Sequence, residues 1–192
     1  MPKPTPETDV AIVARVTGGD SDSYAQLMER YEAKLLRYVA YLIHNEVAAQ
    51  DVVQETFIKA YQNLKGFNPK YKFSSWLYRI AHNEAMNTVK KNDLRLLVGK
   101  DIADLPDVGY DPHFDEQLDA ELAKAEVHRC LAKLVPKYRE VVQLTYFENM
   151  PYDEVSDVLH VPTSTVGVWL MRAKKQLRHI CRNLEHSKGV RR

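Results

Sequence analysis

The chain is poor in cysteine. Its 192 residues hold two, Cys130 and Cys181, far apart and in no CxxC pair. That spacing speaks against a disulfide framework and against a zinc knuckle. His128 lies near Cys130, and His179 and His186 lie near Cys181, but the set has no recognised ligand spacing, so these read as ordinary helical residues with no metal. A run of about 18 apolar residues is also missing, which argues against a transmembrane helix. The opening stretch MPKPTPETDVAIVARV has no apolar core long enough for a secretory signal, so a cytoplasmic location is expected. Nowhere does the chain alternate apolar and polar residues as a strand does, and no repeat of about 20–50 residues is visible. Clustered carboxylates, clustered histidines and a nucleophile beside its base are absent too. The expectation is a protein that is not an enzyme and uses no cofactor.

What is present begins with enough apolar residue to build cores: 45% hydrophobic against 28% charged. The length suits one large domain or two small ones. A formal net charge of +1 conceals a division along the chain. Residues 1–92 carry 12 Lys/Arg and 10 Asp/Glu, hence +2; residues 93–121 carry 2 and 9, hence −7; residues 122–192 carry 13 and 7, hence +6. Such asymmetry points to interaction surfaces rather than to a fold.

The first segment reads as helices throughout. SDSYAQLMERYEAKLLRYVAYLI opens with capping residues and repeats Leu27, Tyr31, Leu35, Val39 and Leu42 at helical spacing. AAQDVVQETFIKAYQNLKGF does the same with Val53, Phe57, Ala60, Tyr61 and Leu64, and Gly66 and Pro69 stop it. FSSWLYRIAHNEAMNTVKKN starts at a Ser pair and sets Trp76, Leu77, Ile80 and Ala81 on one side, ending the unit near Lys91. Periodicity then fades. Asp101 to Glu121 holds eight acidic residues and no Lys or Arg, the composition of a solvated linker. A helix resumes around Asp119.

The last unit holds short helical stretches separated by Pro or Asn: AEVHRCLAKL, PKYREVVQLTYFEN, PYDEVSDVLHV and PTSTVGVWLMRAKKQLRHICRNL. The final two, joined by a tight turn at His160–Val161, form a helix-turn-helix pattern. The fold class is therefore all-α, with two compact helical domains joined by a flexible acidic linker.

Three of these stretches together resemble one family. QDVVQETFIKAYQNLKGF looks like region 2.2 of the extracytoplasmic-function sigma factors, the small group 4 members of the sigma-70 family. FSSWLYRIAHNEAMNTVKKN resembles their regions 2.3 and 2.4, and LVPKYREVVQLTYFENMPYDEVSDVLHVPTSTVGVWLMRAKKQL resembles region 4. The resemblance runs from about Asp20 to Leu184. It implies a sigma region 2 over 1–92 that binds core polymerase and melts the minus-10 element. It implies an acidic linker over 93–121, and a region 4 over 122–192 that reads the minus-35 element. It further implies bacterial core RNA polymerase, promoter DNA in duplex and single-stranded form, and an anti-sigma factor as partners, with membrane contact only through the last.

The residues make physical sense of those roles. On the first matched helix, Asp51, Gln54 and Glu55 fall largely off the apolar stripe; the resemblance implies docking on a coiled coil of the polymerase's large subunit, where they can offer charge-assisted hydrogen bonds to basic groups. The loop FNPKYKFSSW interleaves Phe67, Tyr71, Phe73 and Trp76 with Lys70 and Lys72, which suits single-stranded DNA because bases stack on rings while ammonium groups follow phosphates. Trp76 itself, with Leu77 and Ile80, is expected in the core. Asn83 and Asn87, four apart on one helix face, can match a base edge, and Lys90 and Lys91 can bind phosphate or complement the helix dipole. The acidic linker repels duplex DNA, and the resemblance threads it through a basic polymerase channel.

In the helix-turn-helix, Val155, Leu159, Val166 and Leu170 have the spacing of a small core. Thr163, Ser164 and Thr165 open the second helix, where hydroxyls and free N–H groups cap it or bind phosphate. Gly167, Val168, Met171, Arg172 and Lys175 follow on that helix as the remaining minus-35 candidates, Arg172 at a position the family uses on the duplex. The family commonly carries basic residues at the positions of Gly167 and Trp169 and a small hydroxyl at Val168; this chain has none of them. Gly167 favours close backbone approach to DNA or to another helix, Val168 suits a thymine methyl, and Trp169 suits packing on the domain or on sugar edges. The competing reading, a stand-alone helix-turn-helix regulator, explains residues 138–178 and leaves DVVQETFIKAY and WLYRIAHNEAMN without a role.

Overall fold

The computed structural model describes residues 7–43, 45–96, 130–131 and 133–189, with side chains for all of these except 91–96 and 183–189. The described residues contain helices and turns and no strand. They fall into two compact units, one within residues 1–95 and 156–160 and the other within 96–155 and 161–192.

The first unit is built from four α-helices: α1 (Asp9–Thr17), α2 (Tyr24–Ile43), α3 (Glu46–Gln62) and α4 (Phe73–Leu96). Each start has a local cause. Thr8 caps α1 by accepting from the Ala11 N–H, and Asn45 caps α3 by accepting from the Ala48 N–H at 3.0 Å. Asp20 accepts from the Ser23 N–H and nucleates the short turn Ser21–Ser23 that leads into α2. Between α1 and that turn Gly19 has φ +113, a conformation that side-chain-bearing residues rarely adopt.

The α2 stripe Leu27, Tyr31, Leu35, Val39 and Leu42 is buried and packs on α3, whose Val52, Val53, Phe57 and Ala60 are buried in turn. Each buried Val, Leu or Phe among them contributes about 1.5–3 kcal/mol. The Tyr24 hydroxyl donates to the Phe57 carbonyl at 2.8 Å, closing this seam with a hydrogen bond. Asp9 ties α1 down: it pairs with Arg30 and accepts from the Tyr31 hydroxyl at 2.5 Å. Burial pushes the Tyr24 and Tyr31 hydroxyls above the ordinary phenol range. On α4, Leu77, Tyr78, Ala81 and Ala85 are buried, and the Tyr78 ring meets Tyr38 at 5.1 Å, while Trp76 and Ile80 are half-buried. Tyr61 departs from the expected stripe and is 45% exposed. At 100° per residue it lies about 80° from Val53, on the flank of the line through Phe57 and Ala60. α4 also continues past the expected end at 92, to Leu96. The rest of the acidic stretch, and the helix expected from Asp119, lie outside the described residues.

The second unit contains α5 (Pro136–Val142) and α7 (Thr163–Gly189), and the division between the units falls within α6 (Tyr152–Leu159). Pro136 opens α5, where its missing N–H is no loss. The stretch expected to continue as α-helix instead widens into a π-helical turn over Gln143–Phe147, closed by the Glu148 N–H on the Gln143 carbonyl at 3.1 Å. α5 packs on α7. Arg139 is buried, and its guanidinium donates to the carbonyls of Leu131 (3.1 Å) and Leu134 (2.8 Å), so the end of the preceding helical turn is satisfied by charge-assisted bonds. The turn between α6 and α7 places His160 at φ 54, and the Val166 N–H returns to the Pro162 carbonyl to start α7.

One expectation is overturned here. Cys130 and Cys181 form a disulfide, their Cα atoms 5.5 Å apart. No short motif announces it, because the two thiols meet only through the packing of the unit.

Candidate functional site

Three exposed surfaces carry the residues singled out from sequence. The first lies on α3. Asp51, Gln54 and Glu55 are all exposed, and Gln54 also lines a groove of about 930 Å³ between α2 and α3. Apolar side chains dominate its wall: Met28, Ile58 and Tyr61 are exposed there beside buried Val53 and Phe57. Sequence reasoning missed Met28 and Ile58. A signal existed for Ile58, since it directly follows core Phe57 and cannot share that residue's buried direction. Lys59 bridges two carboxylates, Glu84 on α4 at 2.7 Å and Glu55 on its own helix at 3.5 Å. The bond to Glu84 is the main cause that raises the Lys59 ammonium above its ordinary range. This pair joins α3 to the helix that carries the second surface.

That surface runs from the loop before α4 along α4. Asn83, Asn87 and Lys90 are exposed at positions four and three apart, one face of the helix. The side chain of Lys91 lies outside the described set. In the loop, Lys72 is exposed and Tyr71 is 60% exposed. The other expected stacking rings behave differently. Phe73 is 1% exposed and Phe67 is buried, and they form a ring cluster with Trp76 and Tyr31 at centroid distances of 5.5–5.8 Å. Their faces are spent on one another, so they brace the loop; Tyr71 is the exposed ring of this loop.

The third surface is the start of α7. Thr163, Ser164, Arg172 and Lys175 are exposed, Val168 is 40% exposed, and Thr165, Gly167 and Met171 are half-buried. Ser164, Gly167, Val168, Met171 and Lys175 share one helix face, with Arg172 on its flank. Val166 and Leu170 are buried beneath it, and Val155 and Leu159 of α6 are buried as well. The Gly-Val-Trp run divides by direction. Trp169 turns toward α5, where the Lys137 ammonium lies 5.9 Å from its ring centre. Gly167 meets no crowding: a methyl added there has only the Tyr152 ring nearby, at 3.9 Å. Close approach of another helix is therefore not what this glycine serves. Tyr146, Phe147 and Tyr152 are exposed on the same unit, and the Lys174 ammonium sits 5.4 Å from the Tyr146 ring. Partial burial lowers the Lys174 pKa. No periodicity in the sequence marked these rings.

Among the described residues no group of three His, Cys, Asp or Glu side chains is placed to hold a metal ion, and no helix is long and apolar enough to cross a membrane.

Comparison with known proteins places the chain in one family. Residues 27–95 match the Sigma-70 region 2 family and residues 124–177 match the Sigma-70 region 4 family. The ECF RNA polymerase sigma-E factor of Haemophilus influenzae is 32% identical over 183 residues, covering 88% of this chain and 93% of that protein. The RNA polymerase sigma-H factor of Pseudomonas aeruginosa is 30% identical over 180 residues, covering 90% and 93%. Among solved structures, CnrH in complex with the cytosolic domain of CnrY aligns over 91% of this chain and 97% of its own, with a TM-score of 0.66 and 25% identity. RpoE in complex with the anti-sigma factor NepR from Bartonella quintana shares the fold, with a TM-score of 0.64 at 19% identity. With both conserved regions present in order and relatives matched over nearly their full length, the chain belongs to the extracytoplasmic-function sigma factors, which direct RNA polymerase to promoters.

Proposed function

We propose that the chain carries out the sigma function through the three surfaces above, by binding alone and without catalysis of its own. Residues 1–92 act as the polymerase-binding and minus-10 unit, 93–121 as the acidic connector, and 122–192 as the minus-35 unit. Asp51, Gln54 and Glu55 meet basic groups of the polymerase's large subunit, with the apolar α2–α3 groove beside them. Tyr71 stacks an unpaired base of the minus-10 strand, Lys72, Lys90 and Lys91 follow its phosphates, and Asn83 and Asn87 contact base edges. Phe67 and Phe73 hold the loop in place. Thr163, Ser164 and Thr165 meet the minus-35 phosphates through hydroxyls and the N–H groups at the start of α7. Arg172 reads a base, Lys175 adds a phosphate contact, and Gly167, Val168 and Met171 form an uncharged patch against the groove floor. Its site of action is the cytoplasm, beside the polymerase. The complex of CnrH with the cytosolic domain of CnrY supports a protein partner for this chain as well, and we take that partner to be an anti-sigma factor.

The observation that carries this reading is the co-occurrence, in one chain, of the exposed Asn83/Asn87 face in a region 2 and the hydroxyl-led start of α7 in a region 4. A stand-alone regulator has no use for the first. The test is run-off transcription with purified core polymerase. The chain is expected to co-elute with core and to start transcripts at defined sites. Binding to duplex DNA in the absence of core, with no initiation in its presence, would overturn the proposal.

A further inference from the structure

The sulfurs of Cys130 and Cys181 are the one bonded pair in the molecule, and the sigma function gives them no task. Cys130 is fully buried and lies just ahead of α5, and Cys181, on the distal part of α7, is 7% exposed. Their Cα separation of 5.5 Å lies at the centre of the disulfide range. A sigma factor works beside RNA polymerase, in a compartment where thiol buffers keep cysteines reduced. A permanent structural disulfide does not fit that setting, yet the backbone holds the two residues in bonding register. We propose that Cys130 and Cys181 are an oxidative modification site: a dithiol in the resting protein that a peroxide converts to a disulfide, stapling the DNA-reading unit.

The chemistry balances within the pair and the oxidant. Cys181, the more accessible thiol, attacks as thiolate on a peroxide oxygen; the O–O bond breaks, giving a sulfenic acid and, after protonation, water. The Cys130 thiolate then attacks that sulfur and displaces hydroxide, which leaves as a second water. Two thiols lose two protons and two electrons, and one hydrogen peroxide becomes two waters. A small thiol reverses the bond by exchange at Cys181.

Both sulfurs sit in the same packed unit, so forming the bond leaves the exposed Thr163–Lys175 face where it is. Its effect falls on the unfolded chain. Closing a loop across a sequence separation of 51 lowers the unfolded population by about a thousandfold in the chain-entropy account. The second unit's melting temperature is expected to rise by about 10–20 °C, allowing for the usual shortfall from that ideal. Minus-35 binding then persists through heat or partial denaturation that unfolds the reduced form.

The test uses the full-length chain, reduced and then treated with hydrogen peroxide. Peptide mass spectrometry without reductant should recover Cys130 and Cys181 in one linked species lighter by two hydrogens. Dithiothreitol should restore two alkylatable thiols and lower the melting temperature of the second unit. Cys130→Ala/Cys181→Ala should show no peroxide-dependent shift. Wild-type protein alone decides the matter if that variant folds poorly. Independent alkylation of both thiols after peroxide, overoxidation to sulfinic acid, disulfide-linked dimers, or identical melting of the oxidised and reduced forms would each overturn the proposal. None of these readouts involves polymerase or promoter DNA, so they stand apart from the assignment of the DNA-contacting residues.

Discussion

Replacing Gly167 with alanine separates packing from recognition on α7. Glycine inside a helix is less favourable than alanine by about 0.8–1 kcal/mol, because its backbone loses more freedom on folding. The added methyl finds one neighbour, the Tyr152 ring at 3.9 Å, an ordinary van der Waals distance that requires no adjustment. Gly167→Ala is therefore expected to stabilise the second unit by about 1 kcal/mol, raising its melting temperature by about 4–8 °C. The same position lies on the face with Ser164, Val168 and Met171 assigned to the minus-35 duplex. If the glycine serves approach of the backbone to DNA, the methyl holds the helix off the groove, and minus-35-dependent initiation falls about tenfold, close to 1.4 kcal/mol. Circular dichroism melting of the full-length chain gives the first quantity. Initiation rates on promoters with an intact and a scrambled minus-35 element give the second. A lower melting temperature would refute the description of open space at Gly167, and unchanged minus-35 dependence would remove this residue from the interface.

Other outcomes follow from the same geometry. Asn87→Ala should weaken open-complex formation, read by permanganate reactivity at the minus-10 element, more than it weakens core binding; equal loss in both assays contradicts the assigned role. Lys59→Ala severs the ion pair to Glu84 on α4, and with Lys59 partly exposed the stability loss should stay near or below about 1 kcal/mol in a urea titration. A larger loss would mean that the pair holds the two helices together. Tyr24 and Tyr31 ionise later in the folded protein than in the unfolded chain, since burial raises both hydroxyls. Their contribution is intact below about pH 10, the ordinary phenol value, and is lost as pH rises beyond it, because the unfolded chain then releases protons that the folded chain retains. Ultraviolet titration at the phenolate band should show these two rings ionising only as the first unit unfolds; early ionisation contradicts their burial.

How much of this was written in the sequence depends on how local each cause is. The α2 stripe was legible because five apolar residues at helical spacing have one direction in which to be buried. The α6–α7 turn was legible because a helical pattern breaks at His160–Val161 just ahead of Pro162, and His160 does adopt the left-handed conformation. Phe67 and Phe73 were misjudged because loop composition does not say whether rings face bases or each other, and only the approach of Tyr31 and Trp76 decides it. The π-helical turn at Gln143–Phe147 leaves the apolar pattern almost unchanged while redirecting Tyr146 and Phe147 outward. The Cys130–Cys181 bond was illegible for a different reason. It is a contact between residues with no shared motif, created by the packing that brings the turn ahead of α5 to the distal part of α7.

The central claim is that one chain reads two promoter elements through two surfaces. Selection of active promoters from a randomised library, with core polymerase and this chain, tests it most directly. Two sequence elements should emerge at fixed spacing. Arg172→Ala should relax only the upstream one, and Asn83→Ala or Asn87→Ala only the downstream one. A single enriched element, or enrichment that both sets of variants alter alike, would contradict the account.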